Sequence, residues 1–461
     1  MFLFDTRTSS LVQVLEKRVR IYVCGITPYD YSHLGHARSA VVFDTMRRYL
    51  EFKGKEVVFV QNYTDVDDKI VARAVREGKT QKEIAERFIA EYEEDMRKLN
   101  VKRPDYSPRV TENIPEIISF IERLLEKGFA YEVDGDVFFH VPSFPKYGEL
   151  SKQSIDELNR HRIEPDPRKR DVKDFALWKK AKEEDIMAKA CFDSPWGIGR
   201  PGWHIECSVL SSKFLGVPFE IHGGGRDLIF PHHENERAQS FAVFGVEPVK
   251  IWVHNDFLTI SGEKMSKSLG NIVRIRDVVS RYGGEVLRYF LLTAHYRSSI
   301  DYSESGIERA KKAYDYIKNT LTNLDMEIAF LKTFGDRNGR EIDLSNFKNR
   351  FLNAMDNDLN TAKAIAEIHS LSNHLNRELH YLSLRSLEES FKTLRTFLSI
   401  LGLFEDWKRI RTLKEEEVEM LVERELARKE GDFEKADEIR KKFRERGLIL
   451  IDTKWGVRWY E

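Results

Sequence analysis

The feature that most constrains the fold lies near the N-terminus. RVRIYVCGIT, Arg18 to Thr27, is a short apolar run broken by a glycine. Helical spacing follows from about His33 to Lys53, and a second apolar run, KEVVFVQNYTDVDD, spans Lys55 to Asp68. A strand, a crossover helix and a second strand form a βαβ unit, whose strands lie parallel and are joined right-handedly. A parallel sheet needs helices on both faces, so this end of the chain reads as the first half of a doubly wound α/β domain. At 461 residues the chain exceeds one ordinary core, and three or four structural units are expected.

From Gln81 helical spacing dominates. Ile114, Ile117, Ile118, Ile121, Leu124 and Leu125 fall on one face, and Gly128 supplies a stop. Short strand signals such as DVFFHV then alternate with prolines, and a basic stretch runs from Asn159 to Lys182. Strand-like PFEIHGGG and VKIWVHNDFL resume the α/β texture. Beyond Ser303 the sequence is almost wholly helical to about Leu403, and LILIDTKWGVRWY reads as two strands around a turn. The expected fold class is α/β: a Rossmann-like parallel-sheet domain carrying an α+β insertion, then an α-helical bundle and a small C-terminal α/β unit. The expected segments are 1–110 and 201–302 for the halves of the parallel-sheet domain, 111–200 for the insertion, 303–408 for the bundle and 412–461 for the last unit.

HLGHAR, His33 to Arg38, follows the first strand. A helix N-terminus at the carboxyl end of a parallel strand favours anions through its free N–H groups and dipole. His33 and His36, three apart, share a face and can donate hydrogen bonds to a triphosphate. Gly35 removes a side chain where a flat ring can pack. Downstream, GEKMSKSLGN carries Lys264 and Lys267 between glycines. Glycines suit a mobile loop, and ammonium groups suit charge developing on a leaving pyrophosphate.

HGGGRDLIFPHHENE, His222 to Glu236, gathers glycines, histidines and carboxylates. His232 and Glu236 are four apart beside Pro231, the spacing that lets two helical side chains share a metal. His233 has Arg237 at that distance and is the poorer partner. With Cys24 and Cys207, two thiolates, one imidazole and one carboxylate are available for a four-coordinate site, although no CxxC knuckle marks a zinc finger. Buried thiols and an ordinary helix-capping pair are the plain alternative. Cys191 lacks such partners.

HLGH and KMSKS together resemble the class I aminoacyl-tRNA synthetases. YVCGITPYDYSHLGHAR, GRPGWHIECS and HGGGRDLIFPHHENE resemble one branch of them, the cysteinyl-tRNA synthetases, and the resemblance covers essentially the whole chain. It implies one zinc per chain on Cys24, Cys207, His232 and Glu236, Trp203 beside the substrate side chain and Thr64 near the substrate amino end. It also implies an ATP site formed by His33, Gly35, His36, Gly225, Asp227 and Lys267, with magnesium on the nucleotide. The catalytic residues would be His33, His36, Lys264 and Lys267, and the substrates ATP, L-cysteine and tRNA(Cys). A related ligase that joins cysteine to an amino sugar in mycothiol synthesis shares the catalytic motifs but lacks the full C-terminal region. A non-catalytic zinc-dependent RNA-binding module is the more distant alternative.

The formal net charge is −1, so a polyanion must be held by local patches. Arg168, Lys169 and Arg170 in the insertion form one such patch, expected at the RNA acceptor end. In KWGVRWYE, Trp455 and Trp459 alternate with Lys454 and Arg458, which suits stacking of unpaired bases. Three cysteines give no disulfide framework, no apolar run approaches the ~20 residues of a membrane span, and the first residues show no signal-peptide pattern. A cytoplasmic monomer is expected.

Overall fold

The computed structural model describes residues 1–153, 166–265 and 270–461. The chain divides into two units, Met1–Gly306 with Asp356–Asn360, and Ile307–Met355 with Thr361–Glu461.

The first unit opens with an antiparallel hairpin, β1 (Phe2–Asp5) and β2 (Ser10–Gln13). Next come β3 (Arg18–Ile26), the crossover helix Leu34–Phe52 and β4 (Glu56–Tyr63). Helix Ile114–Glu126 ends where expected, with Gly128 at φ 75°. The insertion holds the antiparallel sheet β5 (Ala130–Val133), β6 (Asp136–Phe139), β7 (Phe175–Lys180) and β8 (Gly199–Pro201), in that order. The chain then returns as helix Trp203–Leu215, β9 (Phe219–Gly225), helix Glu234–Phe244 and β10 (Val249–Asn255). A small sheet follows, made by β11 (Leu258–Ile260), β12 (Glu263–Lys264) and β13 (Ile300–Tyr302).

The central sheet has the order β10-β9-β3-β4, and every described pair is parallel. Its strands are buried on both faces: Val19, Ile21, Tyr22 and Val23 are all fully inaccessible. That is why they read as continuous apolar runs rather than alternating ones. The chain leaves β3 on one side to form β4 and later returns on the other as β9. The crevice at the carboxyl ends of β3 and β9 is therefore the topological switch point, where ligands of such sheets bind. Gly25 shapes it. A Cβ there would sit 1.5 Å from the Asn62 carbonyl oxygen, so only glycine lets β3 close against β4. The β3–β4 register shifts between Val23 and Ile26, at the residue where Cys24 projects.

The second unit contains most of helix Glu304–Phe334, helices Thr361–Glu378 and Leu384–Ile400, then Glu415–Glu430, Phe433–Glu445 and the hairpin β14 (Ile449–Thr453) and β15 (Gly456–Tyr460). The C-terminal segment shares a core with the long helix: Leu421, Ile439, Phe443, Leu450 and Trp459 pack with Ala329 and Phe330. At its polar heart Glu327 accepts from Arg458 Nε at 2.7 Å and is paired with Arg337. Burial alone would raise the Glu327 carboxyl, but bonds from His380 and Arg458 overcome it and bring it down to about 2.

Because the folded-state value is depressed, this pairing stabilises the unit above the ordinary carboxylate range and is lost as pH falls from about 4.5 toward 2. Glu327→Gln leaves the Arg458 cation buried and is expected to cost about 3 kcal/mol. Hydrogen exchange of Ile449–Thr453 in the full chain should accelerate accordingly at pH 7, with exchange in β3 unchanged.

Candidate functional site

Four donors from three segments converge beneath the carboxyl ends of β3 and β9. Cys24 comes from the end of β3, Cys207 from the first turns of helix Trp203–Leu215, and His232 and Glu236 from the segment entering helix Glu234–Phe244. One ligand atom from each lies within 4.8 Å of all the others. Cys24 Sγ is 3.7 Å from Cys207 Sγ and 3.5 Å from Glu236 Oε1, and His232 Nε2 is 3.0 Å from Glu236 Oε1. A tetrahedron with ~2.3 Å zinc–sulfur bonds has a sulfur–sulfur edge of ~3.7 Å. The donor types and spacings thus fit zinc.

The helix begins later than the sequence pattern indicates. Ile229–His233 forms a wide turn with Phe230 extended, and the regular helix starts at Glu234. The turn still brings His232 back over Glu236. His233 is the larger departure. Arg237, the residue that made it look like the poorer partner, bonds instead to Glu247 and Glu149. His233 Nε2 lies 3.2 Å from Cys24 Sγ, in a second possible ligand group of Cys24, His222, His233 and Glu236.

The electrostatics separate the donors. Burial and the neighbouring Cys207 push the Cys24 thiol well up. Burial also acts to raise Cys207, but the bond from Cys24 and the His232 imidazole bring it down to about 6. Glu236 stays well below the carboxylate range despite its burial, because His222 and His232 both pair with it. His222 Nε2 donates to Glu236 Oε2 at 2.8 Å. His204 Nδ1 lies 2.9 Å from His232 Nδ1, which leaves His232 Nε2 as the atom facing the cluster. Behind His233 a chain runs outward: its Nδ1 is 2.7 Å from His254 Nε2, whose Nδ1 is 2.7 Å from Thr6 Oγ1. Sequence reasoning missed His204, His222 and His254. Only His222 left a signal, since it stands on the same strand as Gly224 at a spacing of two and faces the same side. The glycines before the turn are spatial necessities: a Cβ at Gly223 would meet the Phe43 ring at 2.3 Å, and one at Gly224 the His233 ring at 2.9 Å.

Trp203 opens its helix, 39% exposed, with its ring stacked on His232 at 4.2 Å. Thr64, buried at the end of β4, is 3.2 Å from Asn62 Nδ2. Gly225 and Asp227 sit at the carboxyl end of β9, where a Cβ on the glycine would touch Asp227 Oδ1. Arg226 beside them pairs with Asp256 at 3.4 Å.

The HLGH residues form the cap of the crossover helix. Gly35 N–H donates to His33 Nδ1 at 3.1 Å, and His33 N–H donates to His36 Nδ1 at 3.2 Å. With both Nδ1 atoms accepting, each ring carries its proton on Nε2 as an outward donor. The rings stack at 3.9 Å, and burial with the His33 neighbour holds His36 neutral. A Cβ at Gly35 would lie 2.9 Å from the His33 ring and 3.6 Å from the Met265 methyl, so this glycine admits both. The chain after the KMSKS motif is pinned here too. Leu34 N–H donates to Val273 O and Ile275 N–H to Ser32 O, each at 3.1 Å. Lys264 lies on β12, and Lys267 lies outside the described residues.

The basic and aromatic residues expected to meet RNA divide sharply. Arg168 is already paired with Asp136 and Asp166, Lys169 is half-buried and Arg170 lies over the Tyr131 ring at 4.2 Å. Trp459 and Arg458 are not surface readers. Trp459 is fully buried with Nε1 donating to the Arg411 carbonyl, and Arg458 lies between Glu327 and the Phe330 ring. Of the three tail residues Trp455 alone is exposed, at 39%. It stacks on His380 at 4.9 Å and meets Tyr381 edge-on, with Lys454 over its ring.

Comparison with known proteins places this geometry in context. The tRNA synthetases class I (C) catalytic domain matches residues 10–312, and the DALR domain matches residues 350–405. A cysteine–tRNA ligase of Archaeoglobus fulgidus is 67% identical over 444 residues, covering 96% of this chain and 95% of that protein. One from Thermococcus gammatolerans is 48% identical over 456 residues, with 96% and 95% covered. Among solved structures, Mycobacterium tuberculosis methionyl-tRNA synthetase in complex with methionyl-adenylate shares the fold at TM-score 0.59 and 17% identity, covering 84% of this chain and 90% of its own. Among the described residues no helix is long and apolar enough to cross a membrane.

If the four donors form one site, Cys207→Ser should reduce retained zinc from about one per chain to a small fraction, measured by mass spectrometry after dialysis. The helical circular dichroism should stay unchanged.

Proposed function

The chain belongs to the cysteine–tRNA ligases, and we propose that it reads its amino acid with a zinc ion held by Cys24, Cys207, His232 and Glu236. The enzyme activates L-cysteine with ATP to cysteinyl-adenylate and pyrophosphate, then transfers cysteine to the 3′-terminal adenosine of tRNA(Cys). The observation that carries the zinc reading is the 3.7 Å sulfur–sulfur edge in a fully assembled Cys–Cys–His–Glu set at the switch point of the sheet.

An apolar pocket separates near-isosteres such as serine and cysteine only ~100-fold. Bound at this site, zinc supplies a soft Lewis acid that favours a thiolate over a hydroxyl. The protein's own residues do the rest. Trp203, stacked on His232, walls the pocket beside the ligands, and Thr64 holds the amino end of the substrate. His33 and His36 direct Nε2–H donors at the ATP phosphates, whose magnesium neutralises part of their charge. Gly225 and Asp227 receive the ribose, the glycine letting the Asp227 carboxylate lie against the strand end. Lys264 and Lys267 stabilise the charge growing on pyrophosphate. Attack by the cysteine carboxylate on the α-phosphate needs no protein nucleophile, so positioning and charge dominate. The reading is of a cytoplasmic monomer.

For the RNA, Trp455 with His380, Tyr381 and Lys454 forms the exposed stacking surface of the second unit. Arg458 and Trp459 support it from beneath.

Aminoacylation with cysteine should fall to background after zinc is stripped by chelation and return on zinc addition. Formation and retention of Ser-tRNA at a rate near that of Cys-tRNA would rule out the zinc reading. Lys267→Ala should lower ATP–pyrophosphate exchange about 100-fold or more while the cysteine KM stays within about twofold. Trp455→Ala should raise the KM for tRNA about tenfold, the loss of one stacked base, with pyrophosphate exchange unaffected.

A further inference from the structure

Tyr22 stands two residues before Cys24 on β3, so the two side chains point to the same face of the sheet. Its register partner on β9 is His222, and the two rings meet edge to face at 5.2 Å. The phenol is fully buried, and its hydroxyl completes no hydrogen bond with a described residue. The acceptor within its reach is the Cys207 sulfur, with Cys24 and Glu236 also facing it.

The charge balance of the cluster gives that hydroxyl a task. Two thiolates and a carboxylate outweigh a divalent cation by one negative charge, and a substrate thiolate adds another. A buried excess of this kind is tolerated where each anionic ligand also receives a hydrogen bond. Glu236 has the His222 Nε2 donor at 2.8 Å, and Cys24 has His233 Nε2 at 3.2 Å. Cys207 is met by Cys24 Sγ at 3.7 Å and by the His232 imidazole, but both are themselves ligands in the zinc reading, and its other polar neighbour, Asn62 Oδ1 at 3.8 Å, is an acceptor already engaged by Gly25 N–H. The donor that stands outside the ligand set is the phenol of Tyr22.

We propose that Tyr22 is a positioning residue for the amino-acid pocket: its hydroxyl donates to the Cys207 thiolate and thereby sets how strongly the bound metal takes the substrate thiol. This rests on the zinc reading above. With the donor in place the sulfur gives less charge to the ion, which stays acidic enough to draw in one more thiolate. Without it, Cys207 is a more basic ligand and the substrate sulfur is held less tightly. The ring itself only fills the sheet face, so the oxygen alone carries the effect.

The test uses the full-length protein loaded with cobalt(II), whose sulfur-to-metal charge-transfer band reports the energy of the thiolate lone pairs. In Tyr22→Phe the band should move to longer wavelength. The cysteine KM in pyrophosphate exchange should rise about tenfold, with kcat within about twofold and the KM for ATP unchanged. Incorporating 3-fluorotyrosine at position 22, which keeps the hydroxyl and strengthens it as a donor, should move the band to shorter wavelength. A Tyr22→Phe protein that binds cobalt with the wild-type band and cysteine KM overturns the proposal. A band that fails to move with fluorotyrosine overturns it equally, even if the phenylalanine variant does not fold. If the wild-type protein shows no sulfur-to-cobalt band, the zinc reading fails, and the assignment of Tyr22 fails with it.

Discussion

Cys24, Cys207 and Glu236 bring three ionisable acids to within 4.8 Å of one another in the interior of the first unit. Unit charges at such separations repel by about 4 kcal/mol per pair even at an effective dielectric of 20. Much of the local architecture follows from bearing that load. Burial holds Cys24 protonated while His232 and the Cys24 hydrogen bond let Cys207 ionise near 6. Two further imidazoles, His222 and His233, are placed against Glu236 and Cys24. A divalent cation relieves the repulsion outright, and the sulfur–sulfur edge already has the length such an ion requires.

The same constraint explains the glycines and the parallel sheet. The donors come from strand ends and helix starts, which only a switch point gathers into one place. Gly223 and Gly224 let the Phe43 and His233 rings approach β9 to distances that a methyl group would forbid. Gly25 lets β3 close on β4 while Cys24 projects. A few ångströms of backbone approach therefore decide whether the ligand set assembles.

The HLGH and KMSKS segments share this scaffold. HLGH lies far from KMSKS in the chain, yet two backbone hydrogen bonds join the segments flanking them, and Met265 lies against Gly35. The caps made by His33 and His36 on backbone N–H groups do more than terminate a helix. They fix both tautomers, so each Nε2 is a donor without either ring needing to be charged. In the second unit a comparable economy holds: Arg458 and Trp459 are consumed by Glu327, Phe330 and Arg411, and their burial leaves Trp455 exposed on a supported hairpin.

Local pattern alone settled a good part of this protein. The apolar runs around Ile21 and Phe59, with helical spacing between them, specified a parallel βαβ unit. The His232–Glu236 spacing joined two side chains that do meet, and the HLGH and KMSKS strings carried the enzyme class. These were legible because each depends on neighbours in sequence: strand and helix periods, a cap, a turn. Tertiary structure alone decided which histidines attend the sulfur cluster, because His222 and His233 reach it through strand register and a wide turn rather than helical spacing. It alone decided that Arg458 and Trp459 are both buried, since a hairpin's period of two puts them on opposite faces and no local pattern says that both faces are covered. Burial is a property of what arrives from elsewhere in the chain, and no local period encodes it.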